Sequence, residues 1–186
     1  MNILIITAHP KEASLNGEIL KRIQANLPKS HNIKLLNLYQ EDFDPVLRYE
    51  QRRDMKDDPS TENYRQLITW ADQLIFIFPI WWGGMPAILK GFIDRVFAAG
   101  FAYSYKGITP VAHLKGKKAW IITTHDTPAI FAKLFVQDYG RILKKQVLGM
   151  CGIKPTKLTS IPYVRGTSDS KIKKQLDKIS QLAQKI

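Results

Sequence analysis

Apolar and polar residues follow one another along the chain in blocks that predict strands and helices in alternation. Short apolar runs and strand-like patterns predict strands at residues 2–7, 32–38, 73–78, 119–124 and 156–161. Apolar residues that recur every three or four positions predict helices at residues 15–27, 61–71, 86–97, 129–148 and 169–186. The pattern as a whole predicts an α/β protein.

The alternation also predicts how the strands are arranged. Strands that are separated by helices lie parallel in one sheet, and the helices cover both of its faces. Five strands in this rhythm match the flavodoxin-like order 2-1-3-4-5, a three-layer sandwich that binds ligands where its parallel strands end. The chain has 186 residues, of which 45% are hydrophobic, and we expect one domain over residues 1–186.

The stretch at residues 76–97, FIFPIWWGGMPAILKGFIDRVF, contains the most informative loop. The strand is predicted to end at Pro79, and the next helix is predicted to begin at Pro86, where a missing N–H costs nothing. Trp81 and Trp82 lie between them, before two glycines that allow close approach of a ligand to the backbone. The tryptophans either face a flat ligand at the strand's end or fill the core between helices.

The first strand leads into a second loop of this kind, residues 8–16 with the sequence AHPKEASLN. Ser14 directly precedes a predicted helix, whose free N–H groups and positive dipole end attract phosphate. Pro10 favours an extended backbone at His9, which can then offer a ring nitrogen to a second phosphate. The alternative is a capping serine beside a surface histidine. The chain contains neither the glycine-rich dinucleotide motif nor the P-loop motif.

The formal net charge is +12, from 28 basic and 16 acidic residues. Because the basic residues are dispersed, we interpret them as solvated faces and expect no nucleic-acid partner. A positive field of this kind favours the approach of anionic nicotinamide cofactors.

The single cysteine, Cys151, excludes an internal disulfide and is consistent with a reducing compartment. No uncharged run approaches the roughly 20 residues of a membrane span, and no basic leader precedes the apolar residues 1–8. We therefore expect a cytoplasmic protein without membrane insertion and without a resident metal.

Two segments are longer than the connections that a five-stranded flavodoxin-like pattern requires. Residues 39–60 form a long and highly charged connection, which is predicted to be functional or disordered. Residues 100–118 include the alternating aromatic strip FAYSY, which favours a pocket wall or a subunit interface. A surface β-ribbon unrelated to any ligand is the alternative.

Four motifs occur in order along the chain: AHPKEASLN, FPIWWGGMPAILKGFIDRVF, FAYSYKG and TTHDTP. Together they resemble the flavodoxin-like NAD(P)H:quinone oxidoreductases, of the DT-diaphorase and modulator of drug activity B type, over residues 1 to about 152. The resemblance implies a homodimer with two flavin sites at its interface. In such enzymes the flavin accepts a hydride at N5 from NAD(P)H and passes it to a quinone or another flat acceptor in a ping-pong reaction.

The same resemblance implies roles for individual residues. It assigns the phosphate arm of the flavin to His9, Ser14, Leu15 and Asn16. It assigns the isoalloxazine ring to Pro79, Ile80, Trp81 and Trp82. It assigns the pyrimidine side of that ring to Thr123, Thr124, His125 and Asp126. Tyr103 and Tyr105 would reach in from the neighbouring subunit and form one wall of the pocket. Those two tyrosines and His125 are the candidate catalytic residues.

The chain departs from the family after Thr124. A glycine pair is usual there, and Phe131 falls near the place of a tyrosine that works with a histidine, so that relay is not expected here. His125 either donates a hydrogen bond to the reduced flavin or caps the next helix. FAD is favoured over the alternative, FMN, because His9 resembles the family's arrangement for a second phosphate.

Two other functions share this fold. A regulatory flavoprotein subunit of a potassium efflux system carries the same motifs. An electron-carrier flavodoxin is usually acidic and monomeric, unlike this basic chain with its aromatic strip.

Overall fold

The computed structural model describes residues 1–48, 59–134 and 140–186. The strands are β1 (Asn2–Thr7), β2 (Asn32–Asn37), β3 (Gln73–Pro79), β4 (Tyr103–Lys106), β5 (Thr109–Ala112), β6 (Lys118–Thr124) and β7 (Thr156–Ile161). The helices are α1 (Leu15–Asn26), α2 (Pro59–Trp70), α3 (Ala87–Val96), α4 (Ala129–Leu134) and α5 (Asp169–Ala183), and a π-helical turn covers Leu143–Leu148.

Five parallel strands form the main sheet in the order β2-β1-β3-β6-β7. Strands β4 and β5 form a separate antiparallel hairpin, so the sheet order is the predicted 2-1-3-4-5 once the hairpin is set aside. The prediction of a flavodoxin-like α/β fold is thereby confirmed. The carboxyl ends of β1, β3 and β6 meet in the middle of one sheet edge.

The sheet separates two apolar cores, because alternate side chains of a strand point to opposite faces. Ile3 and Ile5 of β1 pack in the core that includes Ile19 of α1 and Ile179 of α5. The intervening Leu4 belongs to the other core, together with apolar side chains of α2 and α3. Helices therefore cover both faces, and the central strands are buried throughout, as their apolar runs predicted.

Three predicted boundaries were wrong. The strand predicted over residues 73–78 extends by one residue, so that β3 includes Pro79. Pro86 is the residue before α3 rather than its first residue. The predicted helix at 129–148 is not one continuous α-helix: α4 covers Ala129–Leu134, Gly140 has a φ of 89°, and a π-helical turn covers Leu143–Leu148. A glycine in the left-handed region ends a right-handed helix, which explains the break.

The first part of the long connection after β2 packs firmly against the helices. The Phe43 ring makes edge contacts with the rings of Tyr64 and Phe92. Pro45 lies directly on the backbone of Gly91 in α3, where a Cβ atom would come within 2.2 Å of the Pro45 carbonyl oxygen. The rest of this predicted functional or disordered loop, residues 49–58, lies outside the described residues. Over the parts of the chain described here, no helix is both long and apolar enough to cross a bilayer.

Candidate cofactor site at the carboxyl edge of the sheet

The loops that follow β1, β3 and β6 come together at one edge of the sheet. Thr7 lies beside Ile77, and Pro79 lies beside Thr124, in the parallel register. Backbone hydrogen bonds continue beyond the strands, because the N–H of Ile80 donates to the Thr124 carbonyl at 2.8 Å. In a doubly wound sheet this edge is where ligands bind.

Asn16 is the central polar residue of this edge. Its side chain is buried, with 5% of the residue exposed, and its Nδ2 donates a hydrogen bond of 2.9 Å to Thr124 Oγ1. Its Oδ1 is buried and has no hydrogen-bond partner among the described residues. Buried amide oxygens are nearly always satisfied, so this one marks a place where a ligand donor fits.

The loop before α1 is fixed by local hydrogen bonds. Ser14 caps the helix by accepting the N–H of Gly17 at 3.2 Å, which is the alternative that the sequence left open for this residue. Gly17 has to be glycine, because a Cβ atom there would lie 1.9 Å from the carbonyl oxygen of Glu12. Its role was not predicted, although a glycine in the first turn of a helix is a recognisable signal.

His9 is oriented by the next turn of this loop. Its Nδ1 lies 3.1 Å from the backbone N–H of Lys11 and 2.9 Å from the Lys11 carbonyl. When Nδ1 accepts that N–H, the proton of the neutral ring resides on Nε2, which becomes a hydrogen-bond donor. The ring centroid of His9 lies 6.3 Å from that of Trp81.

The two tryptophans after β3 occupy different environments. Trp81 and Gly84 exchange backbone hydrogen bonds of 2.9 and 3.0 Å, which close a tight turn with Trp82 and Gly83 at its tip. These two residues have φ values of 50° and 78°, as in a type I′ turn. Trp81 points toward His9, whereas Trp82 is fully exposed at 106%. Neither ring is core filler.

The loop after β6 carries His125 and Asp126. His125 is 6% exposed, and burial lowers the pKa of its imidazole, against the opposing effects of a backbone hydrogen bond with Thr127 and the Asp126 carboxylate. Its backbone is bonded to the loop after β7, since its N–H donates to Ile161 and its carbonyl accepts from Val164. The side chain is therefore mainly neutral near pH 7.

Asp126 is held by a residue that the sequence did not reveal. Its Oδ1 accepts the backbone N–H of Arg165, and its Oδ2 accepts the Arg165 Nε, both at 2.9 Å. The ion pair ties the loop after β6 to the loop after β7. A basic residue just after the fifth strand's carboxyl end was the available signal.

The aromatic strip forms the β4–β5 hairpin that follows α3. The rings of Tyr103 and Tyr105 meet edge to face with their centroids 5.6 Å apart, and Ser104 Oγ lies 2.9 Å from His113 Nε2. Tyr105 and Ile108 are exposed on this hairpin. The described chain thus brings His9, Asn16, Trp81 and Thr124 together, while the two tyrosines stand on a separate ribbon.

A cavity of about 230 Å³ opens beside Asn16 and extends between α1 and β2. Its lining is largely polar and includes Thr7, His9, Asn16, Asn37 and Gln40. Among the described residues there is no cluster of three or more His, Cys, Asp or Glu side chains that could hold a metal ion.

A family model described as flavodoxin-like fold matches residues 1–185. The chain belongs to the flavodoxin-like fold family. Among solved structures, this flavodoxin-like protein is similar to Smu.1420 from Streptococcus mutans, with 56% identity, a TM-score of 0.95 and complete coverage of both chains.

Two curated relatives of this flavodoxin-like protein are named for redox reactions. An uncharacterized NAD(P)H oxidoreductase of Haemophilus influenzae is 37% identical over 123 residues, which cover 63% of this chain and 61% of the relative. The ribosyldihydronicotinamide dehydrogenase (quinone) of Mus musculus is 31% identical over 181 residues, covering 82% of this chain and 77% of the relative. The chain thus spans less than two thirds of the length of the Haemophilus relative.

Proposed function

We propose that this flavodoxin-like protein is a cytoplasmic, single-domain flavoenzyme that oxidises NAD(P)H and reduces a quinone or a similar flat acceptor. The names of the Haemophilus and mouse relatives support this class of reaction. The observation that carries the proposal is the buried Oδ1 of Asn16, which no described residue bonds, at the edge where β1, β3 and β6 end.

The residues at this edge fit a flavin. A flavin offers hydroxyl and N–H donors that can satisfy the Asn16 oxygen, a planar ring that suits Trp81, and a phosphate that suits a helix N-terminus. When bound, it would take up two electrons from the nicotinamide and deliver them to the acceptor. The protein's task is to hold the reactants, exclude water and place hydrogen-bond donors.

The phosphate arm is assigned to the loop before α1. The N–H groups of Leu15 and Asn16 precede the first helical hydrogen bond, from Glu18 to Ser14, and can therefore donate to an anion. His9 adds a donor at Nε2 in the tautomer whose Nδ1 accepts the backbone N–H of Lys11. A second phosphate at His9 is the reason for proposing FAD rather than FMN.

The ring is assigned to the turn after β3 and the loop after β6. Pro79 and Ile80 lie against Thr124, which places their backbone groups beside those of Thr123, His125 and Asp126. Trp81 forms one aromatic wall near His9. The exposed ring of Trp82 can cover a flat acceptor.

We assign the opposite wall to Tyr103 and Tyr105 of a second copy of the chain, which makes the protein a homodimer. The exposure of Tyr105 and Ile108 on the β4–β5 hairpin supports a subunit contact there. One pocket would then serve both half reactions, so the oxidised nicotinamide has to leave before the quinone enters. We therefore propose ping-pong kinetics.

His125 is the candidate donor to the reduced flavin. Its imidazole is mainly neutral near pH 7, so it can still donate one N–H without bringing a charge. The change His125→Ala is expected to slow flavin reduction at least tenfold in stopped-flow measurements. A change of less than about twofold would leave His125 only the structural role in its loop.

The proposal is tested by purifying the protein, extracting its chromophore and weighing it by mass spectrometry. We expect FAD, NAD(P)H oxidation with menadione, and a dimer in sedimentation. Protein that stays colourless after reconstitution with FAD and with FMN would contradict the proposal. Bound flavin without NAD(P)H turnover would instead favour the regulatory subunit, which a pull-down from membranes would then identify.

A further inference from the structure

A basic groove runs along the outer edge of the sheet, on the side away from β2. It lies between β7 and α5 and has a volume of about 500 Å³. We call it the edge groove and define it by Lys157, Thr159, Ser160, Gln175, Lys178 and Leu182. Lys157 and Leu182 also line a smaller neighbouring hollow, of about 150 Å³, whose wall includes Trp120 and Lys118.

The backbone of β7 is available along this groove. Among the described strands, β7 pairs only with β6 and ends the sheet. The carbonyls of Pro155 and Ile161 accept the N–H groups of Ala119 and His125, on the side of β6. In a parallel strand, every second residue turns its backbone N–H and C=O toward the same neighbouring strand, and the residues between turn theirs the other way. The N–H and C=O groups of Thr156, Leu158 and Ser160 therefore point outward, as a template for another strand.

The groove carries positive charge that is not neutralised locally. The pKa of Lys157 is lowered, first by burial and then by repulsion from Lys178 and Lys185. No salt bridge within the described part of the chain involves these three lysines. The nearby acid of α5, Asp177, faces Arg22 of α1 at 2.9 Å instead.

The positive charge of these lysines lies on the face of the sheet that α5 covers. Ile161 packs in the core that includes Leu176 and Ile179 of α5, so the alternate residues Lys157 and Thr159 also face α5. The Lys157 ammonium lies 5.2 Å from the centre of the Trp120 ring, which lines the neighbouring hollow. Every second side chain of a strand added beside β7 would point toward these lysines.

We propose that the edge groove binds an extended segment of a partner protein that has an acidic side chain at every second position and adds to the sheet beside β7. The outward backbone groups of β7 would provide the hydrogen bonds. Lys157, Lys178 and Lys185 would select the acidic side chains. The binding is independent of the proposed cofactor, which lies at the carboxyl edge of the central strands.

The test uses the full chain, as purified, and a fluorescein-labelled synthetic peptide with alternating Glu and Val over about six residues. Fluorescence anisotropy at about 50 mM salt is expected to show saturable binding that weakens as salt rises. The double change K178E/K185E should weaken binding at least tenfold. The matched control K171E/K173E alters the charge of α5 equally, outside the edge groove, and should change affinity less than about twofold.

Two N-methylated peptides test the strand geometry. One carries the methyl groups on its Glu residues and the other on its Val residues, so each peptide cannot donate hydrogen bonds from one of its two edges. Only one of them should retain binding, and the amides of Leu158 and Ser160 should exchange more slowly in its complex. Equal binding of both peptides would overturn the proposal, as would equal weakening by the two double variants or the absence of binding. Equally tight binding of single-stranded DNA, lost in K178E/K185E, would also overturn it and identify a general polyanion surface.

Discussion

Asn16 and Thr124 are 108 positions apart in the sequence, and their side chains form a hydrogen bond of 2.9 Å at the buried edge of the sheet. The bond connects the loop before α1 to the end of β6. It leaves the buried Asn16 Oδ1 without a hydrogen-bond partner among the described residues.

We expect Asn16→Ala to affect flavin binding much more than folding. The change removes one hydrogen bond, worth about 1 kcal/mol, but it also removes a buried oxygen that has no partner in the described part of the chain. Unfolding by urea without flavin should therefore shift by no more than about 1 kcal/mol, while flavin affinity from fluorescence titration falls at least tenfold. Thr156→Val, which removes a hydroxyl bonded to the Ile153 carbonyl outside the proposed cofactor site, is the control and should retain flavin affinity.

Trp82→Asn should stabilise the protein and weaken its interaction with the electron acceptor. Trp82 has a φ of 50° and is fully exposed, so its ring adds little packing to offset the strain of the left-handed conformation. Asparagine tolerates that conformation and is frequent in type I′ turns, and we expect a gain of about 1 kcal/mol in the free energy of unfolding. The KM for menadione should rise. A loss of stability would show that the ring has a packing role.

His125 should make the folded state sensitive to mild acid. Its pKa is lowered in the folded protein, so the unfolded chain binds a proton more readily between that value and about 6.5. The stabilisation is fully present above pH 6.5 and is lost as the pH falls below it. Urea unfolding between about pH 5 and 7.5 should show a smaller pH dependence for His125→Gln than for the wild type. Parallel curves would contradict the prediction.

The Cys151 thiol should be inert in the native protein. It is buried, and burial raises its pKa to about 11, so almost no thiolate exists near neutral pH. A disulfide reagent such as DTNB should react with it slowly in buffer and completely in guanidinium. Rapid reaction in buffer would show that the core around Cys151 opens readily.

Gly91→Ala should destabilise the protein, although alanine usually favours a helix over glycine by about 1 kcal/mol. The added Cβ atom would lie 2.2 Å from the Pro45 carbonyl oxygen, so the loop after β2 would have to move. We expect a net loss of about 1–3 kcal/mol in urea unfolding. Lys90→Ala, on the exposed side of α3, is the control and should cost no more than about 0.5 kcal/mol beyond its ion pair with Asp94.

Much of the fold follows from local patterns. The apolar runs of β1, β3 and β6 and the spacing of apolar residues in α5 predict elements that the structure contains, and alternation of strands and helices predicts the order of the sheet. These signals suffice because burial on both faces of a parallel strand leaves a continuous apolar run. The break near Gly140 was missed, because a glycine in a helical pattern does not reveal its φ.

The sequence predicted where the candidate site lies along the chain better than it predicted which side chains touch there. The positions of His9 and Trp81 after parallel strands indicated a ligand edge, and the family resemblance assigned Asn16 and Thr124 to the same site. The structure joins Asn16 to Thr124 by a hydrogen bond and places His9 near Trp81. The different directions of Trp81 and Trp82 depend on turn geometry, which the pair of glycines only hinted at. The partnership of Asp126 with Arg165 depends on packing between distant loops, for which a single sequence carries no pattern.

The ion pair between Asp126 and Arg165 has a mechanical consequence, because the segment that carries Arg165 leads directly into α5. The pair therefore attaches the start of α5 to the loop after β6. Because both side chains are largely exposed, high ionic strength should loosen this attachment while the buried strands stay intact.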